Sequence, residues 1–408
     1  MNRLRSLLLA AGALALAGCV KPVTRAGFHP PSGEARDLAA LDGEMRRLMA
    51  AAQVTGLAWA LIVDGRVVHQ GAHGFADAAS RKPLRTDSVM YGASLTKAAF
   101  AHLVLQLVDE GVLALDAPIT GLLQKPLPEY ADFADLAGDP RWRRFTPRML
   151  LSHSSGLLNW RWINDDQKLD IKFEPGSRYV YSGEGIQVLQ LIVEERTGAS
   201  LRDLMQRRVF DRFGMADTSM VWRPDFEGRT ANGHDAAGAV LGHARRGRPR
   251  AAGSMDTTLA DYAKFMAGVL RGEGLSRASA REMLGPQIAI VSPQQFPSHW
   301  PGETEVNRGI RLSYGLGWGV YDSPAGPAFF KEGHDEGTNN FALGFLKSRS
   351  GIVLLSNSGN AERMFLPAVE AAFGKTCLPW FWMGYIPYTK PGLADAKARE
   401  HPVGPCGE

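Results

Sequence analysis

A chain of 408 residues, 45% apolar and 22% charged, is long enough for a large buried core in one big domain or two smaller ones, and its composition is not that of a disordered polymer. The formal net charge of +4 is small for this length and gives no support to a nucleic-acid binder, which carries a basic stripe with aromatics interleaved. One local basic run, "HARRGRPR" (243–250), reads as a solvated loop, with a rim for acidic groups as the alternative.

Residues 1–18 read as a leader. Arg3 and Arg5 precede "LLLAAGALALAG", an apolar run too short to span a bilayer as a helix. The run ends in "LAGC", which resembles a bacterial lipobox. That resemblance implies a signal peptide cleaved before Cys19 and lipid on the cysteine as the membrane anchor. With Lys21 and no acid close behind, it further implies a bacterial cell-envelope protein held at the outer membrane and facing the periplasm. Residues 19–36, rich in Pro, Gly and charge, read as a tether, 37–375 as the folded domain, and 376–408 as a C-terminal tail.

In "GLAWALIVDGRVVHQGAHGFAD" (56–77) two apolar runs flank Asp64-Gly65, a strong hairpin signal. "YGASLTKAAFAHLVLQLVDEG" (91–111) predicts a helix that is apolar nearly all round, hence buried. Lys97 at its start is costly there unless something needs it. Residues 112–180 mix prolines and tryptophans with short helical patterns and open an inserted, mostly helical region over about 112–260. Within it, "GEGIQVLQLIVEERTG" (183–198) predicts a helix with a glycine stop, and Thr258 with Asp261 a capping pair. The chain returns to strands in "YGLGWGVYD", "AFFKEGH", "FALGFLKS" and "GIVLLSNS", and a final helix covers about 361–373. Strands at both ends with short turns favour antiparallel pairing. The predicted fold class is therefore α/β (α+β): one antiparallel sheet built from both chain ends, flanked by helices, with the helical insertion between.

Ser94-Leu95-Thr96-Lys97 has S-x-x-K spacing, which puts serine and lysine on one helix face. A serine hydroxyl is a poor nucleophile until a base takes its proton, and lysine is a base once burial lowers its pKa. The helix start adds a free backbone N–H for an oxyanion. "GASLT" is no nucleophile elbow, because Thr96 stands in the last glycine's place, and no glycine precedes Lys97 as a phosphate loop requires. With no CxxC and no HExxH, no metal site and no cofactor are expected. Cys377 and Cys406 are an even pair in an exported chain and read either as a disulfide tying down "LPWFWMGYIPY" or as two free thiols; sequence leaves both open.

From about residue 40 to 375 the sequence resembles the serine β-lactamase and penicillin-binding-protein superfamily, nearest its class C and esterase-like branch. The residues that carry this are "YGASLTK", "TPRMLLSHSSGL" (146–157), "FEPGSRYVYSGEG" (173–185), "AAGSMDTTLADYAKF", "YGLGWG" and "GHDEGTNNFA" (333–342), in the family's order. The resemblance implies that Ser94 becomes acylated and that Lys97 and Tyr181 share the proton transfers. It also implies that the N–H groups of Ser94 and Gly337 hold the oxyanion, and that His334 opens the third motif. Two departures bear on substrate: Gly183 stands where an asparagine usually holds an acylamino group, and Glu336 where a glycine is usual. Glu336 either faces the reaction centre, or turns away or pairs with His334. If Asp335, Glu336 and Glu184 all face inward, three acids against one histidine make that side negative and favour neutral or amine-bearing substrates over β-lactam carboxylates. The leading expectation is a serine hydrolase acting on small esters, short peptides or amides. The alternatives are a true β-lactamase or D,D-carboxypeptidase, and a non-catalytic binder of cell-wall fragments or a partner.

Overall fold

The computed structural model describes residues 27–28, 36–297, 299, 302–395 and 401–406; the leader, Cys19 and nearly all of the tether lie outside them. The first helix, α1 (Leu38–Ala52), is capped by the Asp37 carboxylate and precedes a hairpin of β1 (Gly56–Val63) and β2 (Arg66–Asp77). Asp64 and Gly65 both take positive φ, +49° and +69°, the two-residue turn whose twist matches the flanking strands. A short β3 (Lys82–Pro83) extends this edge. Near the other end come β4 (Ile288–Ala289), β5 (Ser313–Tyr314), β6 (Gly319–Ser323), β7 (Gly326–Asp335), β8 (Thr338–Phe345) and β9 (Ser350–Ser356). These nine strands form one antiparallel sheet in the order β4-β5-β6-β7-β8-β9-β1-β2-β3. The two chain ends meet where β9 pairs with β1, Ser356 opposite Leu57 and Gly351 opposite Ile62.

Both faces of β1 are covered, and its side chains alternate between two cores as the period of two requires. Leu57, Trp59 and Leu61 pack with α1 and with α6 (Glu362–Phe373). Ala58, Ala60 and Ile62 pack with α2 (Leu95–Asp109) and α4 (Leu259–Arg271). Helix α2 is buried on every side from Leu95 to Leu107, as its composition predicts. Helix α3 (Gly183–Thr197) starts at Ser182, whose hydroxyl accepts the Gly185 N–H, and stops at Gly198 in the left-handed region. Thr258 caps α4 through the Asp261 N–H, but the Asp261 carboxylate turns to Asp217 N (2.7 Å) and Lys264 instead of closing a capping box. A shorter helix, α5 (Arg277–Leu284), leads back to the sheet.

Between α2 and α3 the chain runs mostly as 3₁₀ turns joined by loops, less helical than its pattern suggests. Pro118, Pro126, Pro128, Pro140 and Pro147 account for this, each lacking the N–H that a continuing helix needs. Pro367, by contrast, lies inside α6. The carbonyl it leaves unpaired, that of Arg363, accepts the N–H of Tyr388 from the tail at 3.0 Å. Cys377 and Cys406 are joined in a disulfide, which resolves the open alternative and holds the tail against the body. No helix among the described residues is long and apolar enough to cross a membrane.

Candidate active site

Ser94 is the residue just ahead of α2, and three tethers fix its approach. The Asn340 side chain of β8 donates to Tyr91 O (2.9 Å), Gly92 N–H donates to Met255 O (2.9 Å), and Thr96 Oγ1 donates to Ala93 O (2.6 Å). Ala93 is held at φ +46°, a conformation an alanine adopts only under such constraint. Gly333 on β7 lies directly against this turn: a Cβ there would sit 2.6 Å from Gly92 O and 3.2 Å from Leu95 N. The first turns of α2 satisfy the N–H groups of Leu95, Thr96 and Lys97, and none uses that of Ser94.

Lys97 is fully buried, and its Nζ reaches Ser94 Oγ at 2.9 Å and Ala252 O at 2.5 Å. Burial, then the charge of Lys331, drive its pKa well below the ordinary lysine range, against an opposing effect of Glu332. Tyr181 is also buried, and the Ser94 side chain acts on its hydroxyl to lower its pKa. Its ring lies 5.0 Å from both Lys97 Nζ and Lys331 Nζ. Burial raises its pKa above the ordinary tyrosine value, with Lys331 pulling the other way.

Lys331, which the motif reading passed over, is thus part of the centre. It donates to Tyr181 OH at 3.2 Å and to Glu332 Oε1 at 3.0 Å, and Gln295 closes the cluster on Glu332 at 2.6 Å. Burial opposes its charge, but Glu332 and Tyr181 outweigh that and hold the ammonium. His153, from the quoted "LSHSSGL", is a second residue sequence reasoning left without a role. It is fully buried at φ +57°, accepts the Ser182 N–H on Nδ1 (3.2 Å), and packs its ring 4.4 Å from that of Tyr181. Burial, with Lys97 and Lys331 adding to it, keeps this imidazole neutral, so it braces the tyrosine without adding charge.

At the mouth the expectations are partly corrected. Glu184 does not face the pocket as free negative charge: Arg161 pairs with both of its oxygens at 3.0 Å, and the Arg161 N–H adds a third bond. His334 pairs with Asn339, which in turn donates to Glu362 at 2.7 Å. Asp335 and Glu336 are exposed at the turn joining β7 and β8. Gly337 closes that turn, and only a glycine fits, since a Cβ would meet Gly233 Cα and His234 N at 2.9 Å. At Gly183 there is no room for the asparagine of the usual motif: a Cβ would lie 2.8 Å from both Asn159 O and the Trp160 ring. The basic run is only partly a solvated loop, for Arg246 stacks on the Tyr91 ring and bonds Asp256. Of the six large apolar side chains exposed among the described residues, two lie beside this centre: Phe296 packs against Tyr181, and Trp162 stacks on Trp160 next to Gly183.

A serine at a helix start, with a buried lysine one turn on and a tyrosine beside both, set against a large antiparallel sheet, defines the active-site-serine hydrolases of the β-lactamase and penicillin-binding-protein fold. The chain belongs to the Beta-lactamase family, whose profile matches residues 41–373. Similar proteins include the lovastatin esterase of Penicillium rubens, 28% identical over 305 residues, covering 65% of this chain and 71% of that protein. Esterase EstB of Burkholderia gladioli is 31% identical over 228 residues, 49% of this chain and 56% of that one. The penicillin binding protein from Bacillus halodurans shares the fold, with a TM-score of 0.64 at 21% identity over 81% of this chain and 99% of that chain.

Proposed function

We propose that the protein is a serine esterase of the cell envelope, with Ser94 as nucleophile, Lys97 as its base and Tyr181 as the acid for the leaving group. The observation that carries this is the wholly buried Lys97 within 2.9 Å of Ser94 Oγ. A neutral amine keeps one N–H on Ala252 O and turns its lone pair to the serine proton. Ser94 Oγ then bonds the ester carbonyl carbon as Lys97 takes its proton, and the N–H of Ser94, which the first turns of α2 leave unused, holds the oxyanion. The C–O bond breaks, and the departing alcohol takes the Tyr181 proton, leaving a phenolate beside the Lys331 ammonium. Water next gives a proton to Tyr181 and its hydroxide to the acyl carbon, and Lys97 returns the first proton to Ser94. Acid and alcohol leave, and every group ends in its starting state.

Trp160 filling the space at Gly183, and the apolar mouth, support neutral esters over acylamino substrates such as β-lactams and peptides. Cys19 in "LAGC" supports anchoring by lipid at the envelope. The test is a paired assay of p-nitrophenyl acetate and nitrocefin. Wild type turns over the ester with the higher kcat/KM, Ser94→Ala loses it, and Lys97→Ala and Tyr181→Phe each lose about 10²–10⁴-fold. Faster turnover of nitrocefin displaces the esterase reading in favour of a β-lactamase, and an active Ser94→Ala removes the mechanism.

A further inference from the structure

A cavity of about 730 Å³ lies between the C-terminal tail and the ends of α1 and α6, within the size range of small-molecule sites. Its apolar wall includes Phe296, Phe381, Trp382, Met383, Ile386 and Leu393. Phe296 is the side it shares with the reaction centre: the ring lines the cavity, packs edge-on against Tyr181 at 5.5 Å between centroids and is 42% exposed.

Gln53, Gln294, Glu362, Arg363 and Tyr388 line the same space. Gln294 is 7% exposed, and its Nε2 has no hydrogen-bond partner among the described residues. A buried amide donor left unpaired is costly unless something outside the chain accepts its bond. Glu362 is tied through Asn339 to His334 at the mouth. The wall is held in place from three directions. Gln295 N–H donates to Trp382 O (2.8 Å), Tyr388 N–H donates to Arg363 O (3.0 Å), and the disulfide closes the tail.

Which part of a substrate would enter follows from proton bookkeeping. Tyr181 gives its proton to the leaving oxygen, so the alcohol departs on the Tyr181 side of the acyl carbon, and Phe296 and the cavity lie on that side. We propose that this cavity is the subsite for the alcohol portion of the ester, a medium-length apolar group carrying an acceptor oxygen that meets Gln294 Nε2. The acyl portion is small and stays on the Trp160 side. This assignment rests on the esterase reading above.

The test varies the alcohol and holds the acyl group constant. Release of acetate from ethyl, butyl and octyl acetate is measured in wild type and in Ile386→Trp, which fills the cavity. Each methylene buried there raises kcat/KM by roughly fourfold at most. Octyl acetate is therefore turned over faster than ethyl acetate by an order of magnitude or more, and Ile386→Trp collapses that ratio. Because the readout is a ratio within one variant, a general loss of activity cancels. A second arm needs no turnover: 8-bromo-1-octanol is titrated into Ser94→Ala while tryptophan fluorescence is followed. Saturable quenching that is lost in Ser94→Ala/Trp382→Phe supports the subsite even if every acetate proves inert, in which case the esterase reading alone fails. A chain-length preference that survives in Ile386→Trp, or no saturable quenching, overturns the proposal.

Discussion

Lys331 and Glu332 are neighbours on β7, both buried and paired with each other beneath Tyr181. Their charges act on Lys97 and Tyr181, the two groups proposed to move protons. The proposed mechanism needs Lys97 deprotonated and Tyr181 protonated, so it predicts that kcat/KM rises with pH through the lowered Lys97 pKa and falls only through the raised Tyr181 pKa. The Lys331 charge lowers both values, and Glu332 raises both. Lys331→Met therefore moves both limbs of the profile to higher pH, and Glu332→Gln moves both to lower pH, as measured on p-nitrophenyl acetate corrected for spontaneous hydrolysis. Shifts of the same sign in the two variants would contradict this assignment. Each single variant also strands its buried partner at a cost of about 3–5 kcal/mol, so the double variant is the more stable protein in urea melts. Ser94, Lys97 and Tyr181 were legible as candidates because spacing and family motifs mark them. Lys331 was not, although a lysine on the same strand face as buried Phe329 is a usable signal. Its partner lies 150 residues away, and nothing local points to it.

At the scale of elements, the centre depends on how closely β7 approaches the start of α2. Gly333 has no side chain, and that allows the contact with Gly92 O and Leu95 N. In Gly333→Ala the methyl meets backbone, which cannot swing aside, so the helix start shifts. A displacement of this kind lowers kcat by about a hundredfold and stability by about 1–3 kcal/mol, read from kinetics and a thermal melt of the same preparation. Wild-type kcat in that variant would show that the close approach does not position Ser94. The strands, hairpin and long helices could be read from periodicity and turn chemistry, because β1, α2, α3 and α4 carry their own signals. Three features could not. The 3₁₀ turns before α3 follow from where prolines fall against tertiary contacts, the helix across Pro367 depends on a bond from the distant tail, and Glu184 depends on Arg161 to neutralise it.

For the whole molecule, the sheet joins both chain ends at β9 and β1, and the disulfide then binds the tail across the same body. Lipid on Cys19 would hold that body at a membrane through the tether. Cys19→Ser is accordingly expected to leave the membrane fraction, or to accumulate as unprocessed precursor, in a carbonate-washed fractionation. A mature variant that stays membrane-bound would place the anchor elsewhere. In the proposed mechanism Lys97 makes Ser94 a nucleophile. The most direct measurement of this is intact-mass analysis after treatment with a fluorophosphonate, followed by peptide mapping. One adduct is expected, on the peptide containing Ser94, absent in Ser94→Ala and strongly slowed in Lys97→Ala. An unlabelled wild type, or an adduct on another serine that persists in Ser94→Ala, would contradict it.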